Sequence, residues 1–139
     1  MSTAMTTAAQ TMPLRRTGIG VVGDVPWGTH FFMFHETKED LFDILGPFFK
    51  AGLENSELCV WIISEPLKEE AACASLAEGI PGFDRYWDHG DIEILRGREW
   101  YMTADELDLD RVSQSWNNKM NHAGKRLRRA AYKRGYRLA

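Results

Sequence analysis

The chain has 139 residues, 44% of them hydrophobic and 27% charged, with a net charge of −3. That is room for one domain with its own core, in the composition of an ordinary globular protein. No apolar run reaches the length of a membrane span, and MSTAMTTAAQ lacks the basic start and apolar stretch of a secretory signal. The two cysteines are too few for a disulfide framework, so a cytoplasmic protein with buried thiols is expected.

Residues 1–17 are rich in Ser, Thr and Ala, show no periodicity, and are expected to be disordered. Gly18–Gly23 (GIGVVG) matches G-x-G-x-x-G in form. A dinucleotide site needs a strand before that motif and a helix after it. MPLRRT is a poor strand and Asp24-Val25-Pro26 a poor helix start, so a glycine-rich lead-in loop is expected. His30–His35, with four apolar residues in a row, reads as a strand buried on both faces. Thr37 and the acids behind it open a helix from Lys38 to about Leu53, with Leu41, Leu45, Phe48 and Phe49 on its buried stripe. Pro47 should kink or split it near Gly46, and Gly52 and Asn55 should end it.

Glu57–Ile63 reads as a second buried strand, Leu67–Glu78 as a helix, and Phe83–His89 as a short helical turn. Asp91–Leu95 alternates like a third strand. Arg98–Met102 is an aromatic loop or short helix. Asp108 or Asp110 caps a long helix from about Arg111, with Val112, Trp116 and Met120 on one face. This alternation predicts a three-layer α/β domain with a mainly parallel sheet. Three strands are few, so the sheet is expected to be incomplete.

Ligands of open parallel sheets bind beyond the carboxyl ends of the strands. That edge would hold His35-Glu36 and Ser64-Glu65. Glu36 and Glu65 could form an acid pair in a cleft, although such residues more often cap helices. His30 and His35 lie five apart on one strand and so face opposite sides, a poor metal pair. No metal, cofactor or catalytic triad is indicated, and no G-x-x-x-x-G-K-[ST] phosphate loop is present. Phe31, Phe32, Phe34, Trp61, Trp100 and Tyr101 could line an apolar pocket, but rings at such spacings more often fill a core.

Several segments in order, TGIGVVGDVPWGTHFFMFHETKEDLFDILGPFFKAGLENSELCVWIISEP, PGFDRYWDHGDIEIL, REWYM and RVSQSWNNKMN, resemble the MEDS (methanogen/methylotroph DcmR sensory) domain over about residues 15–122. The resemblance implies a RecA/KaiC-like fold without a working phosphate loop. It implies a sensory module binding hydrocarbon derivatives, alone, in transcription regulators, or ahead of PAS and histidine-kinase modules. The family's histidine matches His30. Its G-L-x-N-x-E-x-C segment matches Gly52, Leu53, Asn55, Glu57 and Cys59, its S-E-P matches Ser64, Glu65 and Pro66, and its E-W-Y matches Glu99, Trp100 and Tyr101. Phe32 stands where members often carry a cysteine. The candidate ligand contacts are therefore His30, Phe32, Glu36, Trp61, Glu65, Trp100 and Tyr101, with a small apolar ligand, no membrane and no nucleic acid as partners. The alternatives are a degenerate nucleotide-binding domain or small enzyme, and a pure interaction domain.

The expected domain is 18–124. From Lys125 onward there are seven basic and no acidic residues. Where the family continues as G-Y-D-G-L-R-x-x-G-x-T-x-W, this chain has KRLRRAAYKRGYRLA. Codons allowed for residues 126–139, read one base later, can give Gly-Tyr-Asp-Gly-Leu-Arg-Ile-Asn-Gly-Asp-Thr-Ala-Trp. The tail is therefore read as an out-of-frame stretch on a truncated domain. The competing reading is a basic amphipathic helix that binds an acidic surface.

Overall fold

Six consecutive apolar residues, Leu58–Ile63, form the central strand β3, and all six are buried. A strand covered on both faces must be apolar at every position, because successive side chains point to opposite sides. The computed structural model that shows this describes residues 13–27, 29, 35–103, 106–123, 126–133 and 136–138. The expected strand at His30–His35 lies almost wholly outside the described residues.

Two strands flank β3 in parallel. β4 (Ile92–Arg96) pairs on one side, from Cys59↔Ile92 to Ile63↔Arg96. β7 (Leu127–Lys133) pairs on the other, from Leu58↔Leu127 to Ile62↔Ala131, and β8 (Tyr136–Leu138) returns antiparallel beside it. The sheet is thus mainly parallel, in the order β4-β3-β7-β8. Its third parallel strand comes from the basic tail, so the tail is neither a surface helix nor an arm there.

Helices cover both faces, giving three layers. On one side, α1 (Lys38–Glu54), α2 (Glu69–Gly79) and α3 (Phe83–Asp88) bury Phe49, Leu76 and Phe83 against Cys59, Trp61 and Ile63. On the other, α4 (Gly97–Tyr101) and α5 (Leu109–Ala123) lay Trp100, Tyr101 and Trp116 on Leu58, Val60 and Ile62. Each fully buried large apolar side chain contributes about 1.5–3 kcal/mol.

The caps follow the sequence. The Thr37 hydroxyl accepts from the Asp40 N–H at 3.1 Å, and Asp108 Oδ1 from the Arg111 N–H at 3.0 Å. α1 runs unbroken through Pro47 to Glu54, so the expected split at Gly46 does not occur. Nor does Gly52 end the helix. It is buried within it, and the left-handed position of the turn into β3 falls to Ser56 at φ 57°.

Leu14–Arg16, within the stretch expected to be disordered, form a strand. β1 (Leu14–Arg16) pairs antiparallel with β2 (Asp24–Pro26). A pair of short strands around the GIGVVG loop is the wrong context for a dinucleotide site. Thr17 closes this loop: its hydroxyl donates to Gly23 O at 2.6 Å and accepts from Ile19 N–H at 3.1 Å. Gly18, at φ +77°, presses on α1 so closely that a Cβ would stand 2.1 Å from Pro47 O. The last small pair, β5 (Met102–Thr103) with β6 (Glu106–Leu107), joins α4 to α5.

Candidate functional site at the carboxyl edge of the sheet

The direction of α1 fixes which residues share an edge. Phe42 sits edge-on to Trp61 at 6.1 Å, while Phe49, two turns later, carries the carbonyl nearest Cys59 Sγ at 3.7 Å. The helix therefore runs antiparallel to β3. At 17 residues it is about 25 Å long against about 20 Å for the strand. Its amino end, with Glu36 and Thr37, thus lies at the carboxyl end of β3, where Ser64, Glu65 and Pro66 leave the sheet. β4 ends at the same level, since Ile63 pairs with Arg96. Gly97 then turns tightly over the edge: a Cβ there would stand 3.1 Å from Ile63 O and 3.7 Å from Ser64 Oγ.

α4 starts at that turn and carries Trp100 and Tyr101 under the second face. Trp100 meets Trp116 at 4.7 Å between ring centroids, tilted by 63°. Arg129 lies 4.6 Å over the Trp116 ring, and Lys119, paired with Glu93 at 2.6 Å, approaches the Trp100 ring at 5.6 Å. Burial raises the Tyr101 hydroxyl's pKa, with Arg129 pulling the other way. Burial lowers that of Arg129, with Tyr101 opposing it. The indole Nε1 of Trp100 is buried and has no hydrogen-bond acceptor among the described residues. A buried donor without a partner costs about 1–3 kcal/mol, so it is a place where an added acceptor would be welcome.

The candidate residues divide. Glu36 and Glu65 are exposed at the carboxyl edge. Glu65 does not cap α2, whose N-cap is Lys68. Trp100 and Tyr101 are half-buried beside that edge on the second face. Trp61 is 3% exposed, held between Phe42 and Phe49 on the opposite face, and shares no surface with the other two rings. His30 and Phe32 lie outside the described residues.

Gly52, Asn55, Glu57 and Cys59 gather at the other end, where β3 begins. There Glu57 is 1% exposed against a buried Arg128. Sequence reasoning gave no role to Arg128, Arg129 or the Glu93–Lys119 pair. The signal available was the apolar company of the two arginines, Leu127 before them and Ala130-Ala131 after.

No group of three His, Cys, Asp or Glu able to hold a metal occurs among the described residues. None of their helices is long and apolar enough to cross a membrane.

Comparison with known proteins gives one family. The model of the MEDS domain, described as the methanogen/methylotroph, DcmR sensory domain, matches residues 29–133. No curated protein and no solved structure gives a significant match. The match spans most of the chain, taking in α1, the three parallel strands and both aromatic helices of the second face: the chain belongs to the MEDS family of sensory domains.

Proposed function

We propose that the chain is the ligand-sensing module of a signal-transduction or transcription-regulatory system, and that its ligand is a small hydrocarbon derivative. Membership of a sensory family carries this reading and speaks for binding rather than catalysis. The proposed site is the carboxyl edge and the aromatic cluster beside it, with Trp100 and Tyr101 as apolar contacts and Glu36 and Glu65 at the rim; His30 is kept as a ligand contact on the family resemblance alone. An apolar body with one heteroatom suits a cluster of rings holding a buried N–H without an acceptor among the described residues. The output partner is proposed to be a PAS, histidine-kinase or DNA-binding module.

The test is thermal denaturation of the full chain with a panel of methanol, acetone, dichloromethane and short-chain alcohols, with Mg-ATP as the nucleotide control. A ligand at 100 times its dissociation constant adds about 2.7 kcal/mol. The expected result is a saturable stabilisation by one panel member that Trp100→Phe, which keeps an aromatic ring and loses the N–H, weakens at least several-fold. Stabilisation by Mg-ATP alone would replace this reading with nucleotide binding. A flat response to all probes would leave an interaction domain.

A further inference from the structure

The segment Gly52-Leu53-Glu54-Asn55-Ser56-Glu57-Leu58-Cys59 has no part in the carboxyl edge, yet its Glu57 carboxylate and its Gly52 backbone meet one group, the Arg128 guanidinium. The Arg128 side chain is wholly buried, and each of its donors has a partner. Nε donates to Glu57 Oε1 at 3.0 Å. Nη1 donates to Phe48 O at 2.6 Å and Thr17 O at 3.2 Å. Nη2 donates to Glu57 Oε2 at 3.1 Å and to Arg16 O. A guanidinium has five N–H donors, and all five are used.

The carboxylate is equally full. Besides the two-point contact with Arg128, Oε1 accepts from Arg15 and Oε2 from Asn55 Nδ2 at 3.0 Å. The Phe48 ring stacks 4.8 Å from the Arg128 guanidinium carbon. The floor is Gly52, where a Cβ would stand 2.7 Å from Nε and 2.9 Å from Cys59 Sγ. Two-point geometry, a ring face and a missing Cβ are what a planar cation needs and a point charge does not.

We infer that this segment, together with the carbonyls of Phe48, Arg16 and Thr17, is a guanidinium-binding cradle, that Arg128 of β7 is its resident ligand, and that the filled cradle latches the β1–β2 pair onto the sheet. Two of the five bonds go to backbone carbonyls of that pair's loop side, Arg16 and Thr17. A second tie runs beside the first: Trp27 lies between Arg15 at 4.3 Å and Arg126 at 4.2 Å, and Arg15 also donates to Leu127 O at 3.4 Å. Residues far apart in sequence are thereby fastened at the start of β3. The latch stands independently of the ligand reading at the opposite edge.

Arg128→Ala in the full chain tests it, since this change empties the cradle and leaves Glu57 buried. The expected loss is roughly 10–20 °C in melting temperature. Methylguanidinium at low millimolar concentration should return part of it with saturation. Methylammonium and urea should not, and the wild type, already filled, should gain nothing. If the variant is unfolded, methylguanidinium should induce cooperative folding.

Limited trypsinolysis supplies the latch readout, because Arg128 holds the carbonyl of the Arg16–Thr17 bond. That bond should be cut at least ten-fold faster in Arg128→Ala and slow again with methylguanidinium. As a second variant set, Glu57→Gln with Arg128→Met should be no less stable than the worse single change. Rescue equal with methylammonium, no saturable rescue, or additive losses in the double variant would each overturn the cradle. Unchanged cleavage at Arg16 would overturn the latch.

Discussion

Gly52→Ala should destabilise the chain although it replaces a helical glycine by the best helix former. The added Cβ would meet Arg128 Cδ at 2.5 Å, Arg128 Nε at 2.7 Å and Cys59 Sγ at 2.9 Å. Comfortable contact needs about 3.5–4.0 Å, so each neighbour must withdraw by roughly 1 Å. Cys59 is fully buried beneath Phe49 and has nowhere to go. Arg128 is held by bonds of 2.6 to 3.2 Å, and a shift of that size takes most of them beyond bonding range. Overpacking costs about 1–3 kcal/mol, and each hydrogen bond lost by a charged group about 1.5–3 kcal/mol. Helix propensity returns about 1 kcal/mol. The net loss should be about 2–4 kcal/mol, read as a lower midpoint in equilibrium urea unfolding followed by circular dichroism. Gly79→Ala is the matched control: nothing lies within 4 Å of its would-be Cβ, so it should gain about 0.5 kcal/mol. A Gly52→Ala protein as stable as wild type would mean that the space above Gly52 is open, and the packing argument would fail with it.

Other outcomes follow from the same geometry. Trp61→Ala should cost about 3–5 kcal/mol of stability, while Trp61→Phe should leave any ligand-induced stabilisation unchanged, because this ring is sealed on the face away from Trp100. Thr37→Ala removes the side-chain cap of α1 and should lower the urea midpoint by about 1 kcal/mol equivalent. Burial pushes the Cys59 thiol up to about 12 from an ordinary value of 9.0. Between those values the unfolded chain has released a proton that the folded chain keeps. Stability should therefore be intact below pH 9 and fall by about 1.4 kcal/mol per pH unit above it, and Cys59→Ala should flatten that alkaline slope. In the folded state, half-buried Cys73 should react with a thiol reagent well before Cys59.

Where one physical signal dominated, the fold was legible in the sequence. The capped apolar stripe of α1 and the unbroken apolar run of β3 leave little else for those residues to be, and both appear within a residue or two of the expected bounds. β7 was hidden because its charges pointed to solvent. Its neighbours show why charges can stand there. Leu127 and Arg129 face the second layer, where Arg129 stacks on Trp116, while Arg128 and Ala130 face the first, where Arg128 meets Glu57. The strand keeps its two-residue alternation, but a partner 71 positions away decides that Arg128 counts as core rather than surface. β1 was missed for the same reason: the strand Leu14–Arg16 is two-thirds arginine, and Arg15 finds its acceptor at Glu57. Composition reads a residue alone, and these residues make sense only in pairs.

The same pairing separates the two ends of the sheet. At the amino end of β3 every donor of Arg128 and both oxygens of Glu57 are satisfied, and breaking one partner leaves a charge in the core. At the carboxyl end the acids are exposed and an indole N–H has no acceptor among the described residues. A sensor needs this asymmetry, because a site that must change on binding cannot also be the place where the fold is fastened. Conservative changes at the two ends should therefore have separable effects. Arg128→Lys keeps the charge but loses the two-point fit, so it should lower the urea midpoint and leave the affinity for a stabilising panel compound within about two-fold once measured on folded protein. Trp100→Phe should do the reverse. If Arg128→Lys weakens ligand binding as much as it weakens the fold, the two edges are one cooperative unit and the division drawn between them is mistaken.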